Sequence, residues 1–179
     1  LKARYETLKE TIDDIIGERV DTELATKLKE FVLKSNKEIQ GVYDLSLHNY
    51  GPNKMVGSLH IQVRDDLTAE EIHFLTRDIE YHVFKEFGIF LTIGIYAASD
   101  SEEYKDIKQA LQSIVKDYNQ VLSYHGFFVD KQKKIVYFDL IIDFECKDKK
   151  GLRDEVIAKM KEKNSYYEYY VVIDSDLTD

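Results

Sequence analysis

Cysteine is nearly absent: Cys146 stands alone among 179 residues. That excludes an intramolecular disulfide framework and any multi-cysteine zinc site, and it fits a reducing compartment. A broad basic patch is also missing, because 34 acidic side chains outweigh 25 basic ones and the net charge is -9. A nucleic-acid groove is therefore not expected, whereas an acidic surface suits cations. No apolar run approaches the roughly 20 residues that cross a bilayer. No glycine-rich phosphate loop opens a helix, since Gly51 and Gly57 only flank a turn. No nucleophile elbow or set of triad partners accompanies the Ser, His and Asp residues. These gaps argue against an enzyme. The chain starts at Leu1 without a visible signal peptide, and the expectation is a piece of a longer protein.

Apolar residues make up 44% of the chain, enough for one medium domain or two small ones. Leu8, Ile12, Ile15 and Ile16 stand at helical spacing before Gly17 and predict a leading helix. Asp21 can cap a second helix whose face carries Leu24, Leu28 and Phe31. Val42–His48 and Met55–Val63 predict a hairpin around Gly51-Pro52-Asn53. Thr68 and Glu71 form a capping box ahead of the stripe Ile72, Leu75, Ile79 and Val83. Gly88 stops that helix, and Phe90–Tyr96 predicts a strand.

The same order then recurs. Ser99 and Glu102 read as a second capping box, followed by a helix lined with Ile107, Ala110, Leu111, Ile114 and Tyr118. Val121–Val129 and Ile135–Phe144 predict strands around Asp130-Lys131-Gln132-Lys133. A helix striped by Leu152, Val156 and Met160 and a strand over Tyr166–Asp174 complete the set. The expected class is α+β: tandem ferredoxin-like αββαβ units, each a three-stranded sheet with two helices on one face. The expected parts are a linker helix over 1–20, a first domain over 21–98 and a second over 99–179. Such a sheet leaves its other face open to water, a ligand or another sheet. The second half places Phe127, Phe128, Tyr137, Phe138, Tyr166, Tyr167, Tyr169 and Tyr170 on its strands. Partly buried strand faces and sheet-to-sheet association both account for them.

Asp44-Leu45, His48-Asn49-Tyr50-Gly51, Ser58-Leu59-His60-Ile61-Gln62-Val63, Glu71-Ile72-His73 and Leu91-Thr92-Ile93 resemble the cytoplasmic C-terminal domain of cation diffusion facilitator transporters. The segment Ile12–Leu24 is similar to that family's link from the last membrane helix. The resemblance covers roughly residues 5–98, and the second half looks appended. It implies a polytopic membrane protein exporting divalent metal in exchange for protons, with this part on the cytoplasmic side of the membrane. The fragment would itself transport and catalyse nothing. It would dimerise, or form an intramolecular pseudo-dimer, beside its own transmembrane domain, which is absent from this sequence. It would also bind a divalent metal such as zinc or manganese.

In that family, regulatory ligands come from the strand before the turn, the strand after it, the second helix and the last strand. His60 and His73 match two of these positions, while Tyr43, Gly94 and Tyr96 stand where further ligands are usual. Imidazole and carboxylate donors suit zinc or manganese, with Asp44, Asp65 and Asp66 nearby in sequence. The bland readings remain beside these. His60 alternates with Leu59 and Ile61 and falls on the outer sheet face; His73 fits a solvated helix face. His48 reads as a strand-end shape residue, His82 as the helical partner of Asp78, and His125 receives no role. Asp139, Asp143 and Glu145 alternate along one predicted strand face and suit either a hard cation or solubility. Asp174, Asp176 and Asp179 read as a solvated tail, and Cys146, beside Lys147 and Lys149, as an inert thiol. A second function class stays open: a regulatory module binding a small metabolite where two sheets meet.

Overall fold

In a computed structural model of the chain, the described residues are 22–50, 54–99 and 101–174. The predicted leading helix, the cap at Asp21, the Gly51-Pro52-Asn53 turn, and Asp176 and Asp179 lie outside them. Backbone contacts divide the chain into two compact units. The first comprises the described residues up to Ile61 together with Leu67–Ile95, and the second comprises Gln62–Asp66 and the described residues from Tyr96 onward.

The first half runs α1 (Thr22–Ser35), β1 (Gly41–Asn49), β2 (Met55–Arg64), α2 (Ala69–Phe87) and β3 (Ile89–Ala98). Its three strands lie in the order β1-β2-β3. Helix α1 buries Ala25, Leu28 and Val32, which recur at three- and four-residue spacing. Leu24 and Phe31, expected on one face with Leu28, lie beside that stripe and are half-buried. The capping box at the start of α2 is present: the Thr68 hydroxyl accepts from Glu71 N, and the Glu71 carboxylate accepts from Thr68 N. Gly88, at φ 68°, ends the helix in the left-handed conformation that glycine adopts without a Cβ clash. Leu75, Ile79 and Val83 are buried along α2. In β2, Leu59, Ile61 and Val63 point inward, as their alternation predicts.

The second half runs from a 3-10 turn (Glu102–Tyr104) through α3 (Lys105–Lys116), β4 (Val121–Asp130), β5 (Ile135–Ile142) and α4 (Lys149–Lys163) to β6 (Glu168–Asp174). Strand β5 is central, antiparallel to β4 and parallel to β6. The helix α4 supplies the crossover that a parallel pair needs. Ile107, Leu111 and Ile114 of α3 and Leu152, Val156 and Met160 of α4 share one buried cluster with Phe127, Val136, Phe138, Leu140 and Val171 of the sheet. The architecture is α+β, two three-stranded sheets with helices in tandem ferredoxin-like units, as the element order predicts.

Two local expectations are corrected. Ser99 does not cap a helix: its side chain is buried, and its Oγ accepts from Val129 N at 3.2 Å. Strand β5 ends at Ile142, so Asp143 and Glu145 do not continue the strand face of Asp139; Asp143 Oδ1 instead accepts from Glu145 N in the following turn. The aromatics split by face. Phe127, Phe138, Tyr167 and Tyr169 are buried, while Phe128 stacks at 6.4 Å from Tyr137, which stands 5.6 Å from the exposed ring of Tyr170.

Burial pushes the Tyr169 phenol up to about 12 from its ordinary 10.0, and its hydroxyl donates to the Asn164 carbonyl at 2.9 Å. The folded chain therefore holds this proton after the unfolded chain has released it. Stability is unaffected below about pH 10 and falls as pH rises from there toward the folded value. An ultraviolet titration of the folded protein should show a late phenolate phase that Tyr169→Phe diminishes. An identical titration curve for that variant would refute the assignment.

Candidate metal centre

Three neighbouring strands of the first unit build one local arrangement. Asp44 of β1 has φ 54°, in the left-handed region that Asp tolerates better than most side chains. Its Oδ2 lies 2.8 Å from Nδ1 of His60 on β2. A carboxylate at that position favours the proton on Nδ1, leaving Nε2 as the lone-pair nitrogen that a metal would take. The imidazole lies against the backbone of Gly94 on β3: a Cβ there would overlap the ring at Cδ2 and Nε2. The side chains are 40% exposed for His60 and 18% for Asp44, so the pair is open to ions from solution.

The three positions where the resemblance led one to expect further ligands have other work. Gly94 makes room for the His60 ring. The Tyr43 ring folds back over Gly41, close enough that a Cβ on Gly41 would strike its hydroxyl end. Tyr96 donates its hydroxyl to Asp139 Oδ2 at 3.0 Å. His73 is exposed on α2 with its ring 6.0 Å from Phe74. Among the described residues, neither His60 nor His73 belongs to a group of three or more His, Cys, Asp or Glu donors within 4.8 Å of one another.

The remaining sequence candidates fall into place individually. His48 is exposed near the end of β1, its Nε2 3.1 Å from Ser46 Oγ. His82 Nδ1 lies 2.8 Å from the Asp78 carbonyl. Asp65 and Asp66 are exposed after β2, and Asp66 pairs with Arg64 at 2.9 Å. Cys146 is a buried free thiol.

The residue that sequence reasoning passed over is His125. It is 5% exposed on β4, with Nδ1 3.7 Å from Asp139 Oδ2 and Nε2 3.5 Å from Asp174 Oδ2. The Tyr96 ring lies 5.3 Å away. A bulge puts it there. The register slips between His125 and Phe128, and Gly126, at φ 65°, supplies the left-handed residue that the slip needs. Three steps on β4 then oppose two on β5, so His125 faces Asp139 while Phe128 faces Tyr137. The one signal in the sequence is a glycine inside a strand pattern.

Residues 20–95 match the family described as cation efflux protein, cytoplasmic domain. Among solved structures, CzrB, whose description names a zinc transporter, shares 24% identity at a TM-score of 0.42, over 45% of this chain and 99% of that one. Its zinc form shares 22% identity at a TM-score of 0.41, over 48% and 97%. A mutant of MamM-CTD shares 17% identity at a TM-score of 0.39, over 45% and 89%. No curated protein matches the chain. Among the described residues, no helix is long and apolar enough to cross a membrane. Over residues 20–95, which is less than half of its length, this chain is similar to the cytoplasmic domains of cation efflux proteins.

Proposed function

We propose that this chain is the cytoplasmic part of a proton-coupled divalent-metal efflux transporter, where it holds two protomers together and responds to cytosolic metal. The observation that carries this reading is the family match over residues 20–95, within which Asp44 is set against Nδ1 of His60. His60 is the proposed primary ligand and His73 the second, each supplying imidazole to zinc or manganese. A two-imidazole site completed by water binds more weakly than a four-donor structural zinc site. Such a site follows changes in metal concentration rather than holding a permanent ion. Metal then biases the equilibrium between protomer arrangements by its differential affinity for them. The domain itself performs no catalysis.

Two measurements test this. Light scattering at micromolar concentration should give about twice the 21.0 kDa chain mass, and a persistent monomer would count against the dimer. Calorimetric titration of zinc and of manganese should show binding that weakens at least tenfold in His60→Ala and in His73→Ala. Heats that neither substitution changes would remove both residues from the site.

A further inference from the structure

We infer that the second unit carries a divalent-cation site of its own, made by Nε2 of His125 and the carboxylate of Asp174. The spacing is the first reason. At 3.5 Å the two atoms stand beyond the ordinary hydrogen-bond range of about 2.7–3.2 Å. Two donors bound to zinc at roughly 2.0–2.1 Å in tetrahedral geometry stand about 3.3 Å apart. An ion therefore fits between them with a shift of a few tenths of an ångström.

The second reason lies on the other side of the ring. Asp139 faces Nδ1 at 3.7 Å and itself accepts from the Tyr96 hydroxyl at 3.0 Å. At 3.7 Å from Nδ1, Asp139 acts through its charge rather than through a hydrogen bond. When a cation takes Nε2, the ring proton stands on Nδ1, and the Asp139 carboxylate favours it there. Asp139 is thus a positioning residue, and Tyr96 fixes Asp139 in turn. The Gly126 bulge completes the geometry by placing His125 opposite Asp139 in the sheet.

The third reason is access combined with rigidity. The His125 side chain is 4% exposed, whereas Asp174, at the end of β6, is 32% exposed. An ion can arrive past the carboxylate and meet an imidazole that is already buried. A nitrogen donor paired with oxygen donors suits zinc, or cobalt as its spectroscopic probe, better than calcium.

The experiment uses the full 179-residue chain in the His60→Ala background, so that the His60 imidazole contributes no binding. Zinc is titrated calorimetrically, and cobalt is followed by its visible absorption. The expected result is binding that persists in His60→Ala. It should weaken at least tenfold when Asp174→Asn is added and be lost with His125→Gln. Asp139→Asn should weaken it about tenfold while leaving the stoichiometry unchanged. Asp174→Asn alters a partly exposed strand end, so it provides the decisive variant should His125→Gln fail to fold. Superimposable titrations of His60→Ala with and without Asp174→Asn, or no binding at all to His60→Ala, would overturn the site. Neither outcome bears on the His60 reading, which is judged by its own variants in the native background.

Discussion

Alanine at Gly94 is expected to turn the His60 ring away from Asp44 and to lower the affinity of the first unit for zinc by about 10- to 100-fold, the range seen when an orienting partner of a ligand is lost. The cause is steric. A Cβ at Gly94 overlaps Cδ2 and Nε2 of His60, and the imidazole can escape by changing rotamer because its side chain is 40% exposed. The cost in stability is small. The pair surrendered is partly exposed and contributes at most about 1 kcal/mol, while replacing glycine within a strand returns roughly 0.5–1 kcal/mol. The melting temperature should barely move although metal binding falls. An NMR spectrum of the imidazole protons would show the rotamer change without any metal present. If those resonances moved and zinc affinity did not, His60 would not be a ligand. If they did not move, the backbone at Gly94 would have yielded instead of the ring.

Truncating Phe138 to alanine should cost about 3–5 kcal/mol, the largest loss expected from any single substitution in the second unit. Phe138 is 1% exposed at the centre of β5, the strand that pairs on both edges. It belongs to a buried cluster drawn from α3, α4 and all three strands of its sheet. A cavity there cannot be filled by movement of one neighbour alone, because helices and sheet hold its walls from both sides. Against a typical total of 5–15 kcal/mol, this is a large fraction. Urea unfolding should show a much lower midpoint for Phe138→Ala. Phe128→Ala should show only a small shift, since that ring stands on the other face and is 36% exposed. Equal losses for the two variants would mean that the inward and outward faces have been assigned wrongly.

That pair of phenylalanines marks how far local pattern reaches. Period-2 alternation placed Leu59, Ile61 and Val63 inward, and four-residue spacing placed Leu75, Ile79 and Val83 under α2. Thr68, Glu71 and Gly88 fixed both ends of that helix. Each of these features depends on residues within about one or two turns of one another. Hydrophobic period and cap chemistry therefore determine them before any long-range contact forms. The doubled αββαβ order is legible for the same reason.

Tertiary structure decided what depends on register and on close approach between strands. Ser99 looked like a helix cap, but its hydroxyl instead meets Val129 N thirty residues away. Gly94 looked like a lost ligand, yet its missing Cβ is what admits the His60 ring. His125 looked isolated because its partner Asp139 lies on another strand. Which residue of β4 faces Asp139 depends on the one-residue slip at Gly126. A slip of one residue exchanges the two faces of a strand, and sequence spacing within a single strand does not record it. The sequence by itself determined the elements, their order and their inward faces, because those follow from local periodicity. Only the folded sheets decided which imidazole meets which carboxylate, because that follows from register, bulges and the absence of a side chain at one glycine.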